Sequence, residues 1–227
     1  MSQAGDSPLP APGESRELLI AGPVGNLEAL IAMPRDVPTP RTFCVVCHPH
    51  PLFGGAMTNK VAYTLASCAL KAGMAAARFN FRGVGRSNGL HDDGVGEVDD
   101  ALAVVDWMRA ALPGADCVLA GFSFGAYVSL KAAEQARPKR LVSISPPFGR
   151  YMRANRHPAP PQCPWLVVHS RDDEVVSYEE TRAALDTYEP PPQLVSFDGA
   201  GHYYHGRLTD LTDVVLPFLR SDSTDRL

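Results

Sequence analysis

Three residue types, spread over the second half of the chain, could together run nucleophilic chemistry. The first is Ser123, at the centre of Gly121-Phe122-Ser123-Phe124-Gly125. The apolar run DCVLAGF leads into it, and SFGAYVSLKAAEQARP, with helical spacing, leads out. A serine between a strand and a helix sits on a tight turn that pushes its hydroxyl clear of the backbone, and Gly121 and Gly125 leave out side chains where the two elements converge. A serine hydroxyl is a weak nucleophile until a base takes its proton. Imidazole, with a free pKa of about 6.5, suits that task near neutrality, and it needs a carboxylate to fix its tautomer. Downstream, PWLVVHS is followed by Arg171-Asp172-Asp173-Glu174, and QLVSFDG by Ala200-Gly201-His202-Tyr203-Tyr204-His205. Asp172 and Asp173 compete as the acid, with Glu174 a weaker candidate. His202 competes with His205, and Gly201 lets the backbone turn inward ahead of His202.

An acyl-transfer site also needs backbone donors for a developing oxyanion, and losing one costs about 100- to 1,000-fold in rate. The amide of Phe124, directly after the nucleophile, is one candidate. The other should come from the loop after the third strand, His48-Pro49-His50-Pro51-Leu52-Phe53-Gly54-Gly55. Pro51 has no N–H, which leaves Leu52 or Phe53, with Leu52 preferred. Phe53, Phe122 and Tyr127, with Phe81, are candidates to line an acyl pocket, although aromatics beside a core are as often packing.

Other patterns are weaker. Arg82-Gly83-Val84-Gly85-Arg86-Ser87 resembles a phosphate cradle but lacks G-x-G-x-x-G at a helix start, and reads as a structural loop. His48, His50, His202 and His205 could hold zinc, which would make the chain a metal-dependent hydrolase. That reading leaves GFSFG unexplained and lacks the aspartate of an HxHxDH set. No metal and no organic cofactor are therefore expected. Cys44 and Cys47 form a CxxC pair inside FCVVC, but residues three apart on a strand face opposite sides, so two such thiols cannot close on one ion or on each other.

The elements that must position these groups alternate. ELLIAGPVGNLEALIAMP reads as two strands turning at Gly25–Asn26, too close for a crossover and so antiparallel at one edge. RTFCVVC, MAAARFNF, DCVLAGF, KRLVSISPP, CPWLVVHS and QLVSFDG follow as strands. Between them lie helical segments, TNKVAYTLASCALKAG stopping at Gly73, GEVDDALAVVDWMRAALPG, SFGAYVSLKAAEQARP and SYEETRAALDTY, and a last helix starts near Arg207, kinked or ended by Pro217. This predicts an α/β fold with a mostly parallel sheet of about eight strands, helices on both faces and a minimal cap. Loops after three parallel strands meet at the carboxyl edge, where sites in open α/β sheets lie. Residues 1–16 read as a flexible tail, 17–220 as the domain and 221–227 as a second tail. The stretch PPFGRYMRANRHPAPPQ reads as a flap over the site.

Composition narrows the function classes. The 227 residues carry a net charge of −4, with no basic stripe for nucleic acid and no apolar run long enough for a membrane span. The N-terminus lacks the apolar core of a secretory signal. Five cysteines, an odd number, fit reduced thiols in the cytoplasm. A small-molecule acyl substrate is the expected partner.

Taken together, HPHPLFGGAMTNK, RFNFRGVGRSNG, LAGFSFGAYVSL, RDDEVV and GAGHYYHGRL resemble small, lidless bacterial α/β-hydrolases related to the dienelactone hydrolase and prolyl-oligopeptidase branches. The resemblance runs from about Leu18 to Leu219. It implies Ser123, Asp173 and His202 as a triad, in the chain order Ser, Asp, His that this fold uses, with oxyanion donors at Phe124 and in the Pro51–Phe53 loop. It implies a serine hydrolase as the reaction class; with so small a cap, short acyl esters cleaved through an acyl-enzyme are the expected substrates, with thioesters, lactones and small amides as alternatives. The chain departs from the pattern in three ways: dienelactone hydrolases proper use cysteine where Ser123 stands, many relatives carry aspartate where Asn80 stands, and there is no HGGG segment. A catalytically inactive binding domain on the same scaffold is the rival from another class.

Overall fold

The computed structural model describes residues 8–151 and 158–221. Eight strands form one sheet in the order β1-β2-β4-β3-β5-β6-β7-β8. They are β1 (Ser15–Gly22), β2 (Gly25–Ala32), β3 (Thr42–Cys47), β4 (Ala75–Phe79), β5 (Asp116–Phe122), β6 (Arg140–Ile144), β7 (Trp165–Ser170) and β8 (Gln193–Phe197). β1 pairs antiparallel with β2 and β2 with β4; every other neighbour is parallel. The helices are α1 (Lys60–Lys71), α2 (Gly96–Ala111), α3 (Phe124–Ala136), α4 (Phe148–Tyr151), α5 (Tyr178–Leu185) and α6 (Leu208–Arg220).

The apolar side chains of the central strands divide between two cores, as a sheet covered on both faces requires. α2, α3 and α5 close one, around Phe43, Val45, Phe79, Leu119 and Val167. α1 and α6 close the other, around Val46, Val118, Phe122, Val142 and Val168. Cys47 faces the first core and Cys44 the second, as strand alternation demands. α1 begins where the Asn59 side chain accepts from the amides of Val61 and Ala62, a standard way to satisfy a helix's first donors.

The structure corrects several boundaries. The first hairpin turns at Pro23–Val24, because Gly22 pairs with Gly25. Gly25 takes φ +122°, and a Cβ there would lie 2.7 Å from the Asn88 side chain. The tail expected over residues 1–16 ends earlier: Leu9 is buried in the first core, Gly13 and Glu14 exchange backbone hydrogen bonds with Met33, and Ser15 already belongs to β1. Pro217 lies inside α6, which continues to Arg220. Ser221, expected to open the second tail, accepts from the Arg140 guanidinium. Residues 222–227 of that tail, and residues 152–157 of the expected flap, lie outside the described residues; residues 148–151 of the flap form α4.

Candidate active site

Ser123 follows β5 and precedes α3 with φ +53° and ψ −120°, a backbone conformation that costs a non-glycine residue about 1–3 kcal/mol. Its surroundings impose that conformation. The Ser123 amide donates to the Ile144 carbonyl at 2.8 Å. A Cβ on Gly121 would lie 2.1 Å from the Gly125 carbonyl, and one on Gly125 would lie 2.2 Å from that of Cys47. Strand, turn and helix therefore meet at distances only glycine permits.

The loops after β7 and β8 bring a carboxylate and an imidazole to this serine. His202 Nε2 lies 3.1 Å from Ser123 Oγ. Its Nδ1 lies 3.0 and 2.8 Å from the two carboxylate oxygens of Asp173. With Nδ1 facing two acceptors, the proton belongs there, and Nε2 is left to accept from the serine hydroxyl. The Asp173 side chain is fully buried and His202 almost so. Burial pushes the Asp173 pKa up, but hydrogen bonds from His169, His202 and the Val176 amide outweigh it, and the carboxyl sits well below the ordinary range. Asp173 thus stays ionised wherever His202 can act.

The neighbours that competed in sequence have other tasks. Asp172 Oδ1 accepts from Ser170 Oγ and, at 2.9 Å, from the Gly199 amide. Its pKa is lowered, chiefly by the Ser170 bond. Glu174 Oε2 accepts from the His202 amide at 3.0 Å. Asp172 and Glu174 are exposed, yet with Asp173 they form three consecutive carboxylates that clasp one histidine loop. His205 is exposed and stacks near Tyr203, with ring centroids 5.8 Å apart. Tyr204, fully buried at φ +54°, anchors the same loop by donating to the Val168 carbonyl at 3.3 Å.

The oxyanion side is less regular. Phe124 is the first residue of α3, in the turn where a helix offers its amides no internal acceptor. Pro51–Phe53 form a 3₁₀ turn in which the Leu52 amide donates to His50 Nδ1 at 3.2 Å and the Phe53 amide to the His50 carbonyl at 3.1 Å. The Leu52 amide, expected to face an oxyanion, is thus spent on an imidazole. The pocket assignment of Phe122 is also corrected. Its ring is fully buried and packs 5.0 Å from that of His202. Phe81 is equally buried, between His48 and Phe79. Tyr127 is half-buried against the first core, 6.5 Å from Phe124. Phe53 stands 69% exposed beside His50. Tyr203, which sequence reasoning missed, sets its ring edge-on to His202 at 5.0 Å and is 44% exposed. Its place next to His202 was the only signal for it.

The four histidines weighed as a metal set do separate work. His48 is fully buried; its Nδ1 meets the Pro49 carbonyl at 2.6 Å and its Nε2 accepts from the Phe81 amide at 3.0 Å. Burial, with a smaller push from His50, lowers its pKa to about 4. Among the described residues no three His, Cys, Asp or Glu side chains converge as a metal-binding group. The glycine-rich loop at residues 82–89 is structural, as read. Arg82 makes a buried ion pair with Asp100 at 2.8 Å, and Glu28 Oε2 accepts from the Arg86 amide and from Asn80 Nδ2. That last bond explains Asn80, since an ionised aspartate there could not donate to Glu28.

The chain is similar to known proteins over most of its length. Residues 25–189 match the model of the family described as X-Pro dipeptidyl-peptidase (S15 family). Among solved structures, a lidless α/β serine hydrolase from Xanthomonas campestris superposes with a TM-score of 0.86 at 42% identity, over 94% of this chain and 96% of that one. An α/β serine hydrolase homologue from Coxiella burnetii gives a TM-score of 0.84 at 41% identity, over 90% and 97%. An uncharacterized protein of Rickettsia prowazekii (strain Madrid E) is 30% identical over 212 residues, 89% of this chain and 88% of that one.

Proposed function

Because the chain belongs to the X-Pro dipeptidyl-peptidase (S15) family and has the α/β-hydrolase fold, we propose that it is a serine hydrolase that cleaves small acyl esters through an acyl-enzyme on Ser123. One observation carries this reading: the continuous chain from Ser123 Oγ through His202 to the Asp173 carboxylate, with both links at hydrogen-bond length.

In the proposed reaction Ser123 Oγ attacks the acyl carbonyl while His202 Nε2 takes the hydroxyl proton. Asp173, held ionised, stabilises the imidazolium and keeps its tautomer. The Phe124 amide faces the oxyanion. A charged oxygen is a stronger acceptor than a neutral ring nitrogen, so the Leu52 amide leaves His50 Nδ1 for it. His202 then gives its proton to the departing alkoxide, and water repeats the sequence on the acyl-enzyme. The exposed ring of Tyr203 offers apolar surface beside His202, and that of Phe53 lies beside His50 in the oxyanion loop. A small-molecule acyl ester is the proposed partner, with no cofactor.

The test combines a fluorophosphonate probe, read by intact mass, with a panel of p-nitrophenyl esters and an X-Pro p-nitroanilide. Stoichiometric labelling of the wild type but not of Ser123→Ala, with ester turnover dominant, supports the proposal. Turnover of the anilide in preference to every ester would move the assignment to peptide cleavage. Absence of both labelling and turnover would identify a binding domain on a hydrolase scaffold.

A further inference from the structure

Asp173 touches a second imidazole that the mechanism above does not use. His169, fully buried near the end of β7, places Nε2 3.3 Å from Asp173 Oδ2, the oxygen that lies 2.8 Å from His202 Nδ1. The same Nε2 lies 3.1 Å from the Val176 carbonyl. Two acceptors face this nitrogen, so it must carry a hydrogen. Its Nδ1 is buried with no hydrogen-bond partner among the described residues. A hydrogen there would be an orphaned buried donor, at a cost of about 1–3 kcal/mol, so the ring is neutral with its proton on Nε2. Among the described residues, the titratable groups set against it are Asp173, Tyr178 of α5, whose ring stands edge-on at 5.7 Å, and His202 across the carboxylate.

The two oxygens of Asp173 are held unequally. Oδ1 accepts from the amides of Val175 and Val176 at 2.9 and 2.8 Å and also lies 3.0 Å from His202 Nδ1. Oδ2 is met by His202 and His169. Without His169, the only group among the described residues left to hold Oδ2 is the imidazole that Oδ2 is meant to orient. We propose that His169 is a positioning residue for the catalytic acid: a neutral donor that fixes Oδ2 towards His202 without bringing a cation that would draw the carboxylate's charge away. This rests on the assignment of Ser123, His202 and Asp173 above.

The experiment compares the full chain as wild type, His169→Phe, His169→Gln and His169→Asn, on the best ester of the panel. A glutamine amide nitrogen reaches about where Nε2 stands, and an asparagine amide falls short of it. His169→Phe and His169→Asn should lower kcat about 10- to 100-fold, the range for losing a hydrogen bond to a charged group, with KM within about threefold. The acid limb of kcat/KM should move to higher pH in both, because a carboxylate that loses a donor holds the imidazolium proton more tightly. His169→Gln should restore kcat to within about threefold and return the limb to its wild-type position. If His169→Phe does not fold, the Asn and Gln variants carry the comparison. Wild-type kcat and pH profile in the donor-less variants would overturn the inference, and so would a Gln variant as impaired as the Asn variant. Failure of the probe to label the wild type would end the hydrolase reading and this inference together, whereas a labelled, active wild type with indifferent His169 variants ends this inference alone.

Discussion

The two halves of the site are held by different forces. On the nucleophile side, between β3, β5 and α3, backbone meets backbone: Gly125 packs against the carbonyls of Cys47 and His48, and Gly121 against that of Gly125. On the histidine side, between the loops after β7 and β8, side chains hold backbone: Asp172 takes the Gly199 amide and Glu174 the His202 amide, while Asp173 takes the ring itself. Steric contacts of the first kind tolerate no added atom. Polar contacts of the second kind can be removed singly, with graded loss. The strained turn at Ser123 is built from the first, and the histidine that carries the proton in the proposed reaction is held by the second.

The largest effect that would sharpen this contrast lies in the acid loop. Asp173→Asn should reduce kcat by about 10³- to 10⁴-fold, as loss of the tautomer-fixing carboxylate does in serine hydrolases, while Asp172→Asn should cost about tenfold or less, since it loosens only a loop bond. Equal losses in steady-state kinetics would merge the roles separated above. On the other side, Gly125→Ala should destabilise the fold by on the order of 3 kcal/mol or more in urea titration, because its Cβ would lie 2.2 and 2.4 Å from two carbonyl oxygens. Gly199→Ala, in the histidine loop at φ +69° with open space around the added atom, should cost only about 1–2 kcal/mol of backbone strain.

A third effect is set by pH. Folded His48 resists protonation, with its pKa lowered from 6.5 to about 4. Between those values the unfolded chain binds more protons than the folded one, so stability falls as pH drops from about 6.5 to about 4, by on the order of 3 kcal/mol. Asp173 contributes in a separate, lower window. Its depressed pKa gives stability that is full above the unfolded carboxylate value and lost only in stronger acid. Urea midpoints measured at several pH values should therefore show a slope above pH 4 that His48→Gln flattens. The smallest effect belongs to Glu174→Gln, which keeps an acceptor for the His202 amide but removes its charge. A loss of kcat of about three- to tenfold is expected, and a larger one would make this side as intolerant as the elbow.

What the sequence made legible follows the same division. The elbow, the strand–helix alternation and the parallel order were readable because glycine placement and hydrophobic period are local properties of the chain. Asp172, Asp173 and Glu174 could not be ranked from residues alone. All three are short acids in one loop, and only the approach of a second loop decides which faces the imidazole. Resemblance supplied Asp173 and His202, and the structure supplies the tasks of the other two. His169 was invisible as a partner, since a histidine at the end of a β strand looks like any buried polar residue until the following loop folds back over it. Phe122 misled for the opposite reason: next to the nucleophile in sequence, its side chain enters the second core instead of the cleft. Leu9 and the strand start at Ser15 were missed because a proline-rich segment carries no periodicity to mark where packing begins.

The placement of the cysteines has a practical sequel. Cys44, Cys47, Cys68 and Cys117 are buried, and burial raises the thiol pKa of each, that of Cys117 to about 12. Cys163, only partly covered, is pushed up to about 11. In the native molecule these sulfurs are protonated and shielded, hence slow to alkylate. Global unfolding would release the four buried ones at once, so the uptake of a thiol reagent by the unmodified chain serves as an internal clock for global opening.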